Sequence, residues 1–111
     1  MVQSQTLDRT LAALSDPTRR EIIEHLSGGP ASISELAAPS GISLPGVLKH
    51  VRILEAANLV TTQKRGRTRE RRLGPGAMDE VTDWIEHQRQ RWEHRFDRLE
   101  EYLEEHRQEQ R

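Results

Sequence analysis

The stretch Ser32–Leu73, SISELAAPSGISLPGVLKHVRILEAANLVTTQKRGRTRERRL, decides how the chain is read. Ser32-Ile33-Ser34-Glu35 has capping-box spacing, Ser at the N-cap and Glu at N3, and opens a short helix with Ile33, Leu36 and Ala37 on its apolar face. Pro39-Ser40-Gly41 ends it after barely two turns. Ser43 then caps a further helix reaching to about Ala57, with Val47, Val51 and Leu54 at i, i+4, i+7 along one side. Asn58 suits the left-handed position that closes it. Leu59–Lys64 and Thr68–Leu73 flank Arg65-Gly66-Arg67 and read as a β-hairpin, with Gly66 supplying the turn. Two short helices, a tight turn and a hairpin directly after them predict a winged helix-turn-helix.

The charge is as informative as the pattern. From Ser43 to Leu73 there are eight Lys/Arg against two acidic residues (Glu55, Glu70), or +6; the remainder has nine against sixteen, or −7, giving the total of −1. A near-neutral chain thus hides one basic segment in an acidic surround, the pattern expected of a polyanion-binding face. On a helical wheel Pro45, Lys49 and Arg52 oppose the Val47-Val51-Leu54 side, and Leu48 lies on the flank. Ser43, Leu44, Gly46 and Lys49 are the candidates for base edges, and Arg52 for a phosphate, because a helix in the major groove reads bases from its amino-terminal end. The polar content of this face is thin, so backbone and shape contacts should carry much of the affinity. Lys64, Arg65, Arg67, Thr68 and Arg69 compose a wing suited to a narrow minor groove, where negative potential is concentrated.

Working outward, Leu7, Leu11 and Leu14 share one helical face and predict a first helix over about Gln5–Leu14. Asp16 then caps a second helix that starts at Pro17, carries Ile22, Ile23 and Leu26 inward, and stops at Gly28-Gly29-Pro30. Gly74-Pro75-Gly76 breaks the chain after the hairpin. From Ala77 to about His106 there is neither Gly nor Pro, which predicts one helix of about 45 Å, too long for so small a domain to cover. Met78, Val81, Ile85, Trp92, Phe96, Leu99 and Leu103 form a narrow stripe along it, four of them at heptad spacing, with Trp84 and Tyr102 on a neighbouring line. The expected architecture is mainly α with a small β-hairpin, five helices plus wing. It is a single domain over residues 1–111, with a DNA-binding core at 5–76 and a dimerisation helix at 77–108. The first helix, through Leu7 and Leu11, is expected to join that helix in the interface.

Composition narrows the function classes. With 33% hydrophobic, 4% aromatic and 32% charged residues, apolar surface is scarce for an isolated 111-residue domain, which favours burial against a second copy. The absence of cysteine removes disulfides, thiolate metal sites and thiol chemistry. No apolar run approaches the ~18 residues of a membrane span, and MVQSQTLDRT lacks a signal-peptide pattern, so a cytoplasmic protein with no membrane partner is expected. No phosphate loop or nucleophile motif supports an enzyme.

LAALSDPTRREIIEHLSGGPASISELA, SLPGVLKHVRILEAANLV, KRGRTRERRLGP and WIEHQRQRWEHRFDRLEEYL together resemble the ArsR family of winged-helix transcriptional repressors, in order and over nearly the whole chain. The resemblance is to the branch without metal-binding cysteines. It implies a homodimer that represses at a pseudo-palindromic DNA operator near its own promoter, with a DNA-reading helix that begins at Ser43 and includes Pro45, Val47, Lys49 and His50. Gly46 and Leu48 depart from the family, which more often has Ala or Thr and Ser there. Gly46 should weaken the helix by about 0.5–1 kcal/mol relative to Ala. Metal-sensing relatives place ligands on the final helix. Here His94-x-x-Asp97 is present, but Asp83 stands where a His is wanted and Val81 replaces the first Asp, a poor zinc set, so no metal or other cofactor is expected. His25, His87 and His106 read as surface residues, and His50 as structural. Two other readings share these residues: a sensor of the same family answering to a metal or an unidentified small-molecule effector, and a protein-interaction winged helix whose basic wing meets an acidic partner.

Overall fold

A computed structural model describes the backbone of residues 2–76 and 78–109, and the side chains of 5–76 and 78–107. The element order is α1 (Val2–Leu14), α2 (Pro17–Ser27), α3 (Ile33–Ala37), α4 (Leu44–Ala56), β1 (Val60–Arg65), β2 (Thr68–Leu73) and α5 (Asp79–Glu109). Two compact units result, one ending at Asp79 and one beginning at Glu80. The predicted fold class is therefore the observed one. The first helix starts earlier than expected, at Val2, and the last begins at Asp79; Ala77 lies outside the described residues.

Local chemistry explains each start in the first unit. Asp16 adopts an extended backbone and its carboxylate accepts from the N–H groups of Thr18 (2.8 Å) and Arg19 (3.2 Å), while Pro17 occupies a position that needs no N–H partner. Ser32 Oγ accepts from Glu35 N at 3.2 Å, and its hydroxyl donates to Glu35 Oε1 at 3.2 Å. Only one arm of the expected capping box therefore forms: the glutamate turns to the serine side chain instead of its backbone N–H. Ser43 Oγ accepts from Gly46 N at 3.2 Å and opens α4. Asn58 takes φ +60°, as a left-handed residue closing α4 should.

The core of this unit lies among α2, α3, α4 and the base of the hairpin. Ile22, Ile23 and Leu26 meet Leu36, Val47, Val51, Leu54, Leu59 and Val60, with Val51 and Leu54 sealed from solvent. Truncating one such Leu to Ala costs about 2–5 kcal/mol by lost transfer and cavity terms. From α1 the inward residues are Thr10 and Ala13, with Leu14 packed beside them; Leu7 is half-buried and Leu11 remains 41% exposed. Thr10 is tolerated inside because its hydroxyl donates to Thr6 O at 3.0 Å.

β1 and β2 pair antiparallel from Val60↔Leu73 to Arg65↔Thr68, so the connection is the two-residue Gly66-Arg67, one residue tighter than predicted. Gly66 has φ +61° and Arg67 does not have positive φ, the II′ sign pattern that matches strand twist. At its base the hairpin is anchored twice. Ala31 and Arg71 exchange both backbone hydrogen bonds (2.9 and 2.8 Å), and Gly74 N donates to Leu59 O at 2.8 Å. A Cβ on Gly74 would be driven into the Asn58 carbonyl oxygen, so only glycine fits there.

The second unit is α5, a helix of 31 residues including Asp79. Its polar side carries Arg89 between Glu86 (3.8 Å) and Glu93 (3.7 Å), and Arg107 beside Glu104 (3.6 Å), spacings that support an exposed helix by a few tenths of a kcal/mol each, or about 0.2–0.5. Among the described residues no helix is long and apolar enough to cross a membrane.

Candidate nucleic-acid interface

The face of α4 turned away from the core presents Ser43, Leu44, Pro45, Lys49 and Arg52, all exposed, and Leu44 projects with 51% of its surface accessible. Leu48 and Gly46 are half-buried on its flanks. Gly46 corrects an expectation. A Cβ at this position would stand 2.8 Å from Ile42 Cγ2 and 3.2 Å from Ser43 Oγ. Ile42 packs partly against the core and is β-branched, so its methyl cannot swing away freely. The glycine is therefore less a weakness of the helix than the space that lets Ile42 and the Ser43 cap sit beneath its first turn.

The wing projects Lys64, Arg65, Arg67, Thr68 and Arg69 into solvent. Its register puts Lys64 directly opposite Arg69. Like charges facing each other across a strand pair cost about 0.2–1 kcal/mol, a cost that a bound polyanion removes. Arg65 is offset only weakly, by Glu70 at 4.0 Å, and Glu70 also faces Arg72 at 3.8 Å. Two of the six basic residues in the wing sequence do not belong to the exposed patch. Arg71 is 8% exposed and clamped to Ala31, and Arg72 lies beside Glu70. The charge count from sequence thus overstates the basic surface, and the tip quartet Lys64, Arg65, Arg67 and Arg69 carries most of it.

Behind α4 lies an arrangement that sequence spacing did not disclose. The Arg19 side chain, on the first turn of α2, donates from Nε to Ala13 O (2.7 Å) and from Nη2 to Ala12 O (3.2 Å), both at the end of α1. Its Nη1 lies 3.3 Å from His50 Nδ1 on α4 and 3.9 Å from Asp16 Oδ2. One guanidinium thus ties α1, the α2 cap and the recognition helix together. Desolvation pushes the Asp16 carboxyl upward, but its bonds from Arg19 and Thr18 N–H and the nearby charge of Arg19 outweigh this and hold its pKa below the usual 3.8. The only early signal was the Asp16-Pro17-x-Arg19 run beside a helix start.

The interface residues predicted on α5 are mostly open to solvent. Trp84, Ile85, Trp92, Phe96, Leu99 and Leu103 are exposed, Trp92 by 57%, and Met78 before the helix is exposed too. Trp92 and Phe96 lie with ring centroids 6.1 Å apart. Val81 is the exception: at 8% exposure it is buried and drops out of the stripe. Among the described residues no three His, Asp or Glu converge as a metal site would require.

Comparison with known proteins agrees with this geometry. A family model described as a helix-turn-helix domain matches residues 14–63. The HTH-type transcriptional regulator Rv2034 of Mycobacterium tuberculosis is 41% identical over 68 residues, 61% of this chain and 64% of that protein, so the match spans just under two thirds of that relative. The transcriptional repressor SdpR of Bacillus subtilis is 28% identical over 79 residues, 71% of this chain and 88% of that protein. The crystal structure of an ArsR family transcriptional regulator superposes with a TM-score of 0.75 at 38% identity, covering 81% of this chain and 93% of that one. Family and fold are those of transcription regulators, not of an enzyme. The chain belongs to the ArsR family of winged helix-turn-helix transcriptional regulators.

Proposed function

We propose that the chain is a homodimeric, sequence-specific repressor acting in the cytoplasm on a pseudo-palindromic operator near its own promoter. The observation that carries this is the joint exposure of the outer side of α4 and of the basic wing tip. The outer side of α4 (Ser43 at its cap, then Leu44, Pro45, Lys49 and Arg52) and the tip cations Lys64, Arg65, Arg67 and Arg69 are all solvent-facing, on elements packed against each other in one unit. Leu44, Pro45 and the flank of Leu48 offer apolar contact to thymine methyls, Lys49 reaches base edges, and Arg52 and the wing meet phosphates. Direct readout is narrow, so a second head is needed for affinity and for register.

The α5 stripe supports the second head. Ile85, Trp92, Phe96, Leu99 and Leu103 expose apolar surface at packed-helix spacing along one side, with Trp84 on a neighbouring line, and a symmetry mate would cover it. In the same dimer, Leu7 and Leu11 of α1 would pair with their own symmetry mates. A two-fold axis would then set the two recognition helices one DNA turn apart, about 34 Å. Binding to a labelled duplex from upstream of the encoding gene tests the proposal: saturable, salt-dependent binding that exceeds binding to a scrambled duplex supports it. Equal affinity for both duplexes would contradict it.

A further inference from the structure

We infer that His50 is an additional DNA contact, donating its Nε2–H to a phosphate oxygen, and that Arg19 is the positioning residue that fixes the ring in the form able to do so. The inference rests on the DNA-binding reading above. It starts from the 3.3 Å approach of Arg19 Nη1 to His50 Nδ1. A guanidinium has donors only, so Nδ1 must accept and carries no proton. The ring proton is then on Nε2. Arg19 cannot turn to another arrangement without losing the Ala12 and Ala13 carbonyls, which it holds at 3.2 and 2.7 Å. It is therefore a rigid reference for the ring.

His50 is half-buried, with Nδ1 turned to Arg19, whereas Nε2 on the other side of the ring is not fully sealed and has no hydrogen-bond partner in the chain among the described residues. The residue lies one turn after Gly46, on the flank of α4 opposite Leu48. When a helix sits in the major groove, its leading turn meets bases and its flanks meet the phosphates lining the groove. Phosphate oxygens only accept hydrogen bonds. A ring with Nε2–H can engage one, and the other tautomer would present a lone pair. Arg19 thus does more than brace α4: it selects the tautomer that DNA can use.

Two substitutions separate the roles of the two nitrogens. His50→Asn places an oxygen near the position of Nδ1 and ends short of Nε2. His50→Gln carries an amide N–H to the Nε2 position and leaves no acceptor for Arg19. Anisotropy titrations with the upstream duplex are read beside thermal unfolding. For His50→Asn the melting temperature should stay near wild type while affinity falls about tenfold, the worth of one hydrogen bond to a charged group. Because this contact replaces no counterion, the salt slope should not change, unlike that of a wing variant. For His50→Gln the melting temperature should fall while the folded protein keeps affinity near wild type. In long-range nitrogen–proton spectra, wild-type His50 should be protonated at Nε2 and not at Nδ1, and Arg19→Gln should move it towards a mixture. Wild-type affinity in His50→Asn, with Arg67→Ala/Arg69→Ala still weakening binding, would overturn the inference and leave the DNA-binding reading standing. A wild-type ring protonated at Nδ1 would also overturn it. No binding by the wild-type protein would remove both.

Discussion

Replacing Arg67 and Arg69 by Ala tests how the wing works. Both side chains are exposed, neither has a carboxylate partner among the described residues, and Arg69 faces Lys64 across the strands. Removing Arg69 relieves that like-charge pair, so the hairpin should be as stable as before or more so, by about 0.2–1 kcal/mol. Thermal unfolding should therefore show no loss. DNA binding should respond strongly. Each phosphate neutralised contributes about 0.9 to the slope of log affinity against log salt, so two cations per protomer in a dimer make a difference of about 3.6. Between about 50 and 200 mM salt, the wild-type advantage over the variant should shrink roughly 150-fold. Fluorescence anisotropy across that range measures both slopes on one duplex. A slope change below about one, with the variant folded, would mean that the wing does not lie on phosphates.

Other positions give sharp expectations. Gly74→Ala forces a Cβ against the Asn58 carbonyl and should cost about 2–3 kcal/mol, lowering the melting temperature by roughly 10 °C or more. Trp92→Glu puts a charge into the exposed seam of α5 and should give monomers in sedimentation with loss of tight operator binding; a dimer of wild-type affinity would refute the seam. Asp16→Ala removes the α2 cap, whose carboxyl pKa is lowered in the folded state. Its stabilisation is present above the unfolded value and is lost as pH falls through the folded one. Urea unfolding should show the variant less stable at neutral pH, with the gap closing below the usual carboxylate range. A gap independent of pH would contradict the assignment.

What could be read from sequence was local. Asp16, Ser32 and Ser43 mark their helix starts because a cap uses only the next three residues, and Asn58 marks the end of α4 for the same reason. The Val47-Val51-Leu54 side was legible from spacing, and with it the opposing face of Lys49 and Arg52. Non-local contacts were not legible. Arg71 enters the basic charge count of its segment, and only its pairing with Ala31, some forty positions earlier in the chain, takes it out of the exposed surface. Gly46 looked like a poor helix residue because Ile42, which fills the space of its missing Cβ, belongs to the preceding turn. Arg19 looked like one basic residue among several, since nothing in spacing links it to His50 thirty-one positions on. The Leu7 and Leu11 side was visible as apolar, but that Thr10 and Ala13 face the core instead required the packing of α1.

The most direct measurement is a hydroxyl-radical footprint on the DNA upstream of the encoding gene, combined with the mass of the complex. A homodimeric repressor should leave two protected half-sites related by a dyad, with centres about 34 Å apart, bound by two protomers. A single protected site bound by one protomer, or protection that spreads without sequence preference, would contradict it.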